Sequence, residues 1–350
     1  MKRVQIAAAA AVLLAIGCAS PGPGSQSPSG SNNGGLPAWF FDPGSVYPQE
    51  TYIVGIGSGD TRSDAEDEAL GALAQVFSVE INVDRRTEER YRDIVSGGST
   101  LSEQEQILAQ RTDIRAAQTL LNVQFDDVAI DDRGVVHVIA VLERVPTGRV
   151  YADIVAANAE RIVDLRQVGT NDPDPVRRFA FLSAAEVVAT NNERLQQQMR
   201  IIAPNMLASM TLGYEYAEIQ RLRADAVQQL DVAIQIDGDQ DGRVASAVAQ
   251  ALSSERFPIS DGAGFLQADG TVRIQPPDES GQFSVVRWSL SLSLVDQNGN
   301  ALVAYDLQDR ATGVSAEAAL GFVYLDIEEA VRTQFANRVR AFFDGLALGQ

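Results

Sequence analysis

Thr51-Tyr52-Ile53-Val54-Gly55-Ile56-Gly57-Ser58-Gly59 is the stretch on which the fold turns. Its aromatic and β-branched residues predict a strand. Beyond it, Ala65, Ala69, Leu73, Val76 and Phe77 fall on one helical face, as a helix covering that strand requires. Ser63 and Glu66 form a capping-box pattern, so the glycines are expected to serve a tight strand-to-helix turn. A dinucleotide fingerprint would need its third glycine at Asp60, and Asp64, Glu66, Asp67 and Glu68 already crowd the helix end that a phosphate would use. Nucleotide binding is set aside on those grounds.

Downstream of that helix, Val79, Ile81 and Val83 alternate as a strand, and Leu121, Val123 and Phe125 alternate again. Asp131-Asp132-Arg133-Gly134 reads as a hairpin turn, and Val135 to Leu142, apolar on both faces, reads as a central strand. Pro37-Ala38-Trp39, the run Tyr52 to Gly57, the alanine-rich helix from Ala65 and this late hairpin together resemble the LPP-twenty lipoprotein family over about residues 36–149. The resemblance implies a small α+β domain carried on envelope lipoproteins, some linked to motility structures. It brings no catalytic residue with it.

Three helical stretches follow, Val150 to Val168, Pro175 to Ile202 and Pro204 to Gln229, with Asp174 as the cap of the second and Pro204 as its break from the third. Leu195, Met199 and Ile202 share one face, as packed core does. The segment is expected either to pack between two sheets or to project as a stalk. Beyond it Leu230, Val232, Ile234 and Ile236 alternate, Arg243 to Glu255 is an amphipathic helix, and Val286, Trp288, Leu290, Leu292 and Leu294 alternate over a long strand. Gln297-Asn298-Gly299 turns that strand back through Val303, Tyr305 and Leu307. Ile327, Val331, Phe335, Val339 and Phe342 give the closing helix its covering face. The fold class is therefore α+β: two small domains, 36–149 and 230–350, each an antiparallel sheet covered by helices, joined by a helical segment at 150–229.

Ahead of residue 36 the chain reads as an export signal. Lys2 and Arg3 precede an apolar run from Ile6 to Ile16, too short to cross a bilayer. Leu14-Ala15-Ile16-Gly17-Cys18 resembles the bacterial lipobox, with Ala15 where leucine is usual, and the resemblance implies that residues 1–17 are removed and Cys18 is lipidated. Cys18 is the chain's one cysteine. Acyl chains contribute about 0.8 kcal/mol per buried methylene, so two or three would anchor the protein almost permanently. Ala19, standing where aspartate retains many lipoproteins in the inner membrane, implies the outer membrane, facing either the periplasm or the surface. Residues 18–35, rich in Ser, Gly, Pro and Asn and free of charge, read as a flexible tether.

Charge and composition narrow the function. The net charge of −19 deepens by two when Lys2 and Arg3 leave, a field that repels nucleic acid. Lys2 is the chain's one lysine, so lysine chemistry leaves with the signal. His137 is the one histidine and alternates with Val135, Ile139 and Val141, which places it on a sheet face with a local hydrogen bond. Asp237-Gly238-Asp239-Gln240-Asp241-Gly242 matches the opening of a calcium loop through Asp237, Asp239 and Asp241, yet Val248 stands where the bidentate glutamate should be. The alternative is an acidic turn capping a helix. Ser289, Ser291 and Ser293 give the long strand a solvated face; were that strand at a sheet edge it would offer a strand-pairing surface, and otherwise it is interior. No catalytic residue and no cofactor is assigned. The expected function is a non-catalytic binding or scaffolding module, membrane-anchored by its lipid, with an envelope protein as partner. A regulator or assembly factor of an envelope machine, such as a cell-wall synthase or a flagellar ring, is the alternative.

Overall fold

The computed structural model describes residues 36–77, 83–97, 120–239, 241–279 and 281–349. Cys18, the tether, and Val79 and Ile81 of the expected second strand lie outside them. The chain is α+β with two sheets. The first is antiparallel, in the order β1 (Tyr52–Gly59), β3 (Val136–Glu143), β2 (Gln124–Ile130), so the doubly apolar strand is central as expected. Leu121 and Val123 precede β2 and do not belong to it. One face of this sheet is covered by α3 (Arg62–Val76). The other carries two single-turn helices, α1 (Ala38–Phe41) and α2 (Pro43–Val46), which seat Trp39 and Tyr47 on Ile139 and Val141.

The glycines of β1 have a different task from the turn expected of them. Gly55, Gly57 and Gly59 all lie within the strand and face α3. A Cβ on Gly55 would fall against the Ala69 carbonyl and the Leu73 amide, and one on Gly57 against the Ala65 carbonyl and the Ala69 amide. The glycine row and the Ala65–Ala69 row let helix and strand backbones meet directly. The helix cap is likewise displaced from Ser63. Thr61 is extended and its Oγ1 accepts from the Asp64 amide at 3.2 Å, so the helix starts two residues earlier.

From β3 the chain enters α5 (Arg144–Asn171) with no connecting loop, six residues before the expected start, because Pro146 is tolerated in a first turn. Next comes α6 (Pro175–Ile202), capped by Asp174 as its sequence indicates, the carboxylate accepting from the Val176 amide at 2.9 Å. The third expected helix is two: α7 (Pro204–Ala208) and α8 (Tyr216–Val227), separated where Gly213 takes a positive φ.

The second sheet runs β5 (Ile259–Ser260), β4 (Val232–Asp237), β6 (Leu266–Ile274), β7 (Ser284–Val295), β8 (Ala301–Gly313). It is mixed, not antiparallel: α9 (Arg243–Ser254) carries the chain across so that β4 pairs in parallel with both β5 and β6. Over it lie α10 (Ala316–Ala330), a wide π turn at Val331–Phe335, and α11 (Ala336–Ala347). The π turn adds a residue to the helical register, so Phe343 is fully inside while Phe342 is only partly covered.

Both cores share α6. Near its start, Val176, Phe179 and Ala180 belong to the core of the second sheet, where the Phe179 ring lies 5.2 Å from Phe257 and 4.9 Å from Phe343. Near its end, Leu195, Met199 and Ile202 join Ile53, Leu73 and Phe77 in the core of the first. Of the two arrangements open to the helical segment, the molecule adopts packing between the sheets.

Candidate functional site

His137 stands in register with Ser58 on β1 and Ala129 on β2, on the face that α1 and α2 cover. The ring is buried, its centroid 4.5 Å from that of Phe40, and Nδ1 shares a hydrogen bond of 2.7 Å with the Ser58 hydroxyl. Nε2 faces Asp131 Oδ2 at 3.7 Å, beyond hydrogen-bond length. Serine, histidine and aspartate are thus together, a grouping invisible in the sequence because it spans three elements.

The surroundings give these residues a structural role. Asp131 Oδ1 accepts from the amides of Arg133 and Val135, each at 2.9 Å, and Oδ2 takes the Arg133 guanidinium. The backbone hydrogen bond from Val135 leads the causes that lower its pKa to about 2. The carboxylate therefore builds the hairpin turn. Ser58's own N–H donates to Glu68 Oε2 at 2.6 Å, so the backbone amide that could serve a developing oxyanion is already taken by a carboxylate. On the same face, Trp39 Nε1 donates to Asp127 Oδ2 at 2.7 Å and the Tyr47 hydroxyl to Asp126 Oδ2 at 2.6 Å. Burial, then the hydrogen bond to Asp126, holds the Tyr47 hydroxyl well above its usual pKa. The face is latched by polar clips.

The acidic loop joins β4 to α9. Asp237 ends the strand, Gly238 and Gly242 take positive φ, and Asp239 Oδ2 accepts from the Ala245 amide at 2.8 Å. Asp239 thus satisfies an N-terminal amide of α9, the capping role weighed against calcium. A strand, not a helix, enters the loop, and Val248 at the glutamate position is fully buried in the core. Among the described residues no three His, Cys, Asp or Glu side chains gather as metal ligands do.

The serine-faced strand is interior. β7 pairs with β6 on one side and β8 on the other, which removes the edge reading, while the serine side is solvated: Ser291 is exposed and donates to Asp306 Oδ1 at 2.7 Å.

Between the sheets lies a polar core that sequence reasoning missed. The Asn192 amide donates to the Tyr214 hydroxyl at 2.9 Å and to the Val155 carbonyl at 3.2 Å, and Asn158 donates to Asn192 Oδ1. Tyr91, on α4 (Arg85–Gly97), donates to Asn158 at 3.1 Å. An ion pair borders it, Arg194 with Glu88 at 2.6 Å, and Arg194 also donates to Asn191 Oδ1 at 2.7 Å. The one signal was the Asn191-Asn192 pair inside an otherwise apolar helical face, where unpaired amides would be costly.

No family model matches the chain, and no curated protein matches it by sequence. Its neighbours among solved structures are bacterial secreted proteins and lipoproteins. The secreted protein HP1454 of Helicobacter pylori is 13% identical with a TM-score of 0.39, over 85% of this chain and 98% of that one. A minor lipoprotein of Acinetobacter baumannii is 11% identical with a TM-score of 0.26, over 32% of this chain and 94% of that one. The rare lipoprotein B of Shewanella oneidensis is 12% identical with a TM-score of 0.22, over 31% of this chain and 89% of that one. The likeness is one of outline only.

Proposed function

We propose that this chain is a lipid-anchored lipoprotein of the outer membrane that acts without catalysis, as a binding or scaffolding module of the cell envelope. The observation that carries the reading is Cys18: a single cysteine, placed where an export signal ends and an uncharged tether begins. The folded body suits the role. A 28-residue helix common to both cores holds two sheets in one fixed relation, and a rigid body presents its surfaces at constant spacing. Among the described residues no helix is long and apolar enough to cross a membrane, so the reading assigns attachment to the lipid. The relation of residues 36–149 to the LPP-twenty family belongs to the same proposal and rests on the motifs quoted above.

Cys18→Ala should leave an uncleaved precursor that takes up no radioactive palmitate. Labelling that persists in the variant would overturn the anchor. Whole-cell chemical crosslinking followed by mass spectrometry should join the protein to an envelope partner, and a chain that never crosslinks to another protein would overturn the module.

A further inference from the structure

β8 is an edge strand thirteen residues long, whereas β5, at the opposite edge of the same sheet, has two. A short edge limits pairing with other chains, and a long one is a template for it. Among the described residues no strand pairs with the outer side of β8. Three hydrogen bonds fix which of its backbone groups point outward. Arg338 on α11 donates from Nη1 to the Ala304 carbonyl at 3.0 Å, and the Arg310 amide donates to the carboxylate of its neighbour Asp309 at 2.8 Å. Beyond β7 the Gln275 amide donates to the Arg287 carbonyl at 2.9 Å, so Arg287 turns its backbone toward β6 and leaves that of Arg310, opposite it, to the outer side. The even-numbered residues Ala304, Asp306, Gln308, Arg310 and Thr312 therefore direct their N–H and C=O groups away from the sheet, and all of them are exposed.

This order of side chains is self-complementary when the strand meets itself antiparallel. With Gln308 opposite its own copy, Asp306 faces Arg310, Arg310 faces Asp306, and Ala304 faces Thr312. Opposite residues in such hydrogen-bonded pairs have Cα atoms about 5.5 Å apart and side chains on one face, where unlike charges stabilise. Within one copy, Arg310 lies beside Arg287, a like charge, and among the described residues neither closes an ion pair with a carboxylate. Asp306 takes a neutral hydroxyl, that of Ser291.

We infer that β8 is the seam of a twofold dimer of this chain, in which it pairs antiparallel with β8 of a second copy about Gln308 and joins two five-stranded sheets into one. The symmetry selects the occupant, because this one strand carries both halves of the charge pattern. Pairing exchanges the two side-chain caps, Arg338 on Ala304 and Asp309 on Arg310, for backbone hydrogen bonds. The net charge of −19 opposes the approach at long range, but salt screens exposed charges beyond about 10 Å, well outside the contact distance of the pairs across the dyad. The inference goes beyond the anchor and the module and depends on neither.

Gln308→Cys in the full-length chain should give a disulfide-linked dimer when whole cells are oxidised, because the dyad sets the two cysteines at a Cα separation that a disulfide spans. Two controls should not: the native chain, whose one cysteine is Cys18, and Asp306→Cys, whose copies would stand roughly 14 Å apart along the strands. Asp306→Arg or Arg310→Asp, added to Gln308→Cys, should each lower the dimer yield at least about fivefold, and both together should restore it to within about twofold, with the thermal melt in place. No dimer through position 308, an equal yield from either control, disulfides to another protein in place of a second copy, or a double reversal that fails to restore the yield would overturn the inference. The anchor and the module fail separately, through the palmitate labelling and the whole-cell crosslinking above.

Discussion

Arg90 on α4 and Asp344 on α11, 254 residues apart in the chain, close a two-pronged ion pair, Nε to Oδ2 at 2.9 Å and Nη2 to Oδ1 at 2.7 Å. Nη2 also reaches the Ser183 hydroxyl on α6 at 3.2 Å, so a single guanidinium ties three helices. Burial alone pulls the Arg90 pKa down, and the hydrogen bond and charge of Asp344 outweigh it. Fork-on-fork geometry with both partners mostly covered separates this pair from surface ion pairs, which contribute little. Asp344→Asn keeps the shape and removes the charge. It should cost about 2 kcal/mol of stability in urea unfolding, and a loss within error of zero would show that solvent takes over the guanidinium freely.

The glycine row of β1 yields a paired test. Gly57→Ala drives a methyl into the backbone of Ala65 and Ala69, which cannot give way without lifting α3, and should cost at least about 3 kcal/mol. Gly71→Ala, on the outer side of the same helix with open space around it, should stabilise by about 0.5–1 kcal/mol. Thermal melts of both variants check the contrast, and equal effects would mean the close approach is not structural.

Asp131 sets an acid limit. Its folded pKa, about 2, lies below the ordinary 3.8, so its contribution is fully present above the ordinary value. That contribution is lost as pH falls toward the folded value, because the unfolded chain takes up the proton first. Carbon-detected titration of the Asp131 carboxyl should show a midpoint near 2, and Asp131→Asn should make acid unfolding less steep between pH 4 and 2. A midpoint near 4 would contradict the turn geometry.

Phe179→Ala removes the ring that Phe257 and Phe343 enclose and should cost about 3–5 kcal/mol. Because α6 carries both cores, the loss should lower one joint transition. Calorimetry that resolves two peaks, with only the second displaced, would show that the sheets melt independently.

The elements legible in the sequence are those whose local signals agree. Asp174-Pro175 and Pro204 bracket α6, and Val286 to Leu294 alternate without interruption along β7. β6 was not legible because Asp269-Gly270 interrupts its alternation. Gly270 is there for a tertiary reason, since a Cβ would strike the side chains of Leu292 and Ile236 on the neighbouring strands. Thr61 and Ser63 both open capping patterns, and only backbone geometry decides between them. The grouping of Ser58, His137 and Asp131 needed the register of two strand pairs, and the ion pairs of α4 needed helices from distant parts of the chain. Periodicity reports which residues turn inward; it does not report whom they meet.

The helix common to both cores also limits how this chain can change by descent. A recombination that exchanged either sheet for another would leave half of α6 facing a stranger, with Phe179 or Met199 uncovered. The halves cannot be traded as cassettes, and any viable exchange must carry residues 175–202 with both of their neighbours.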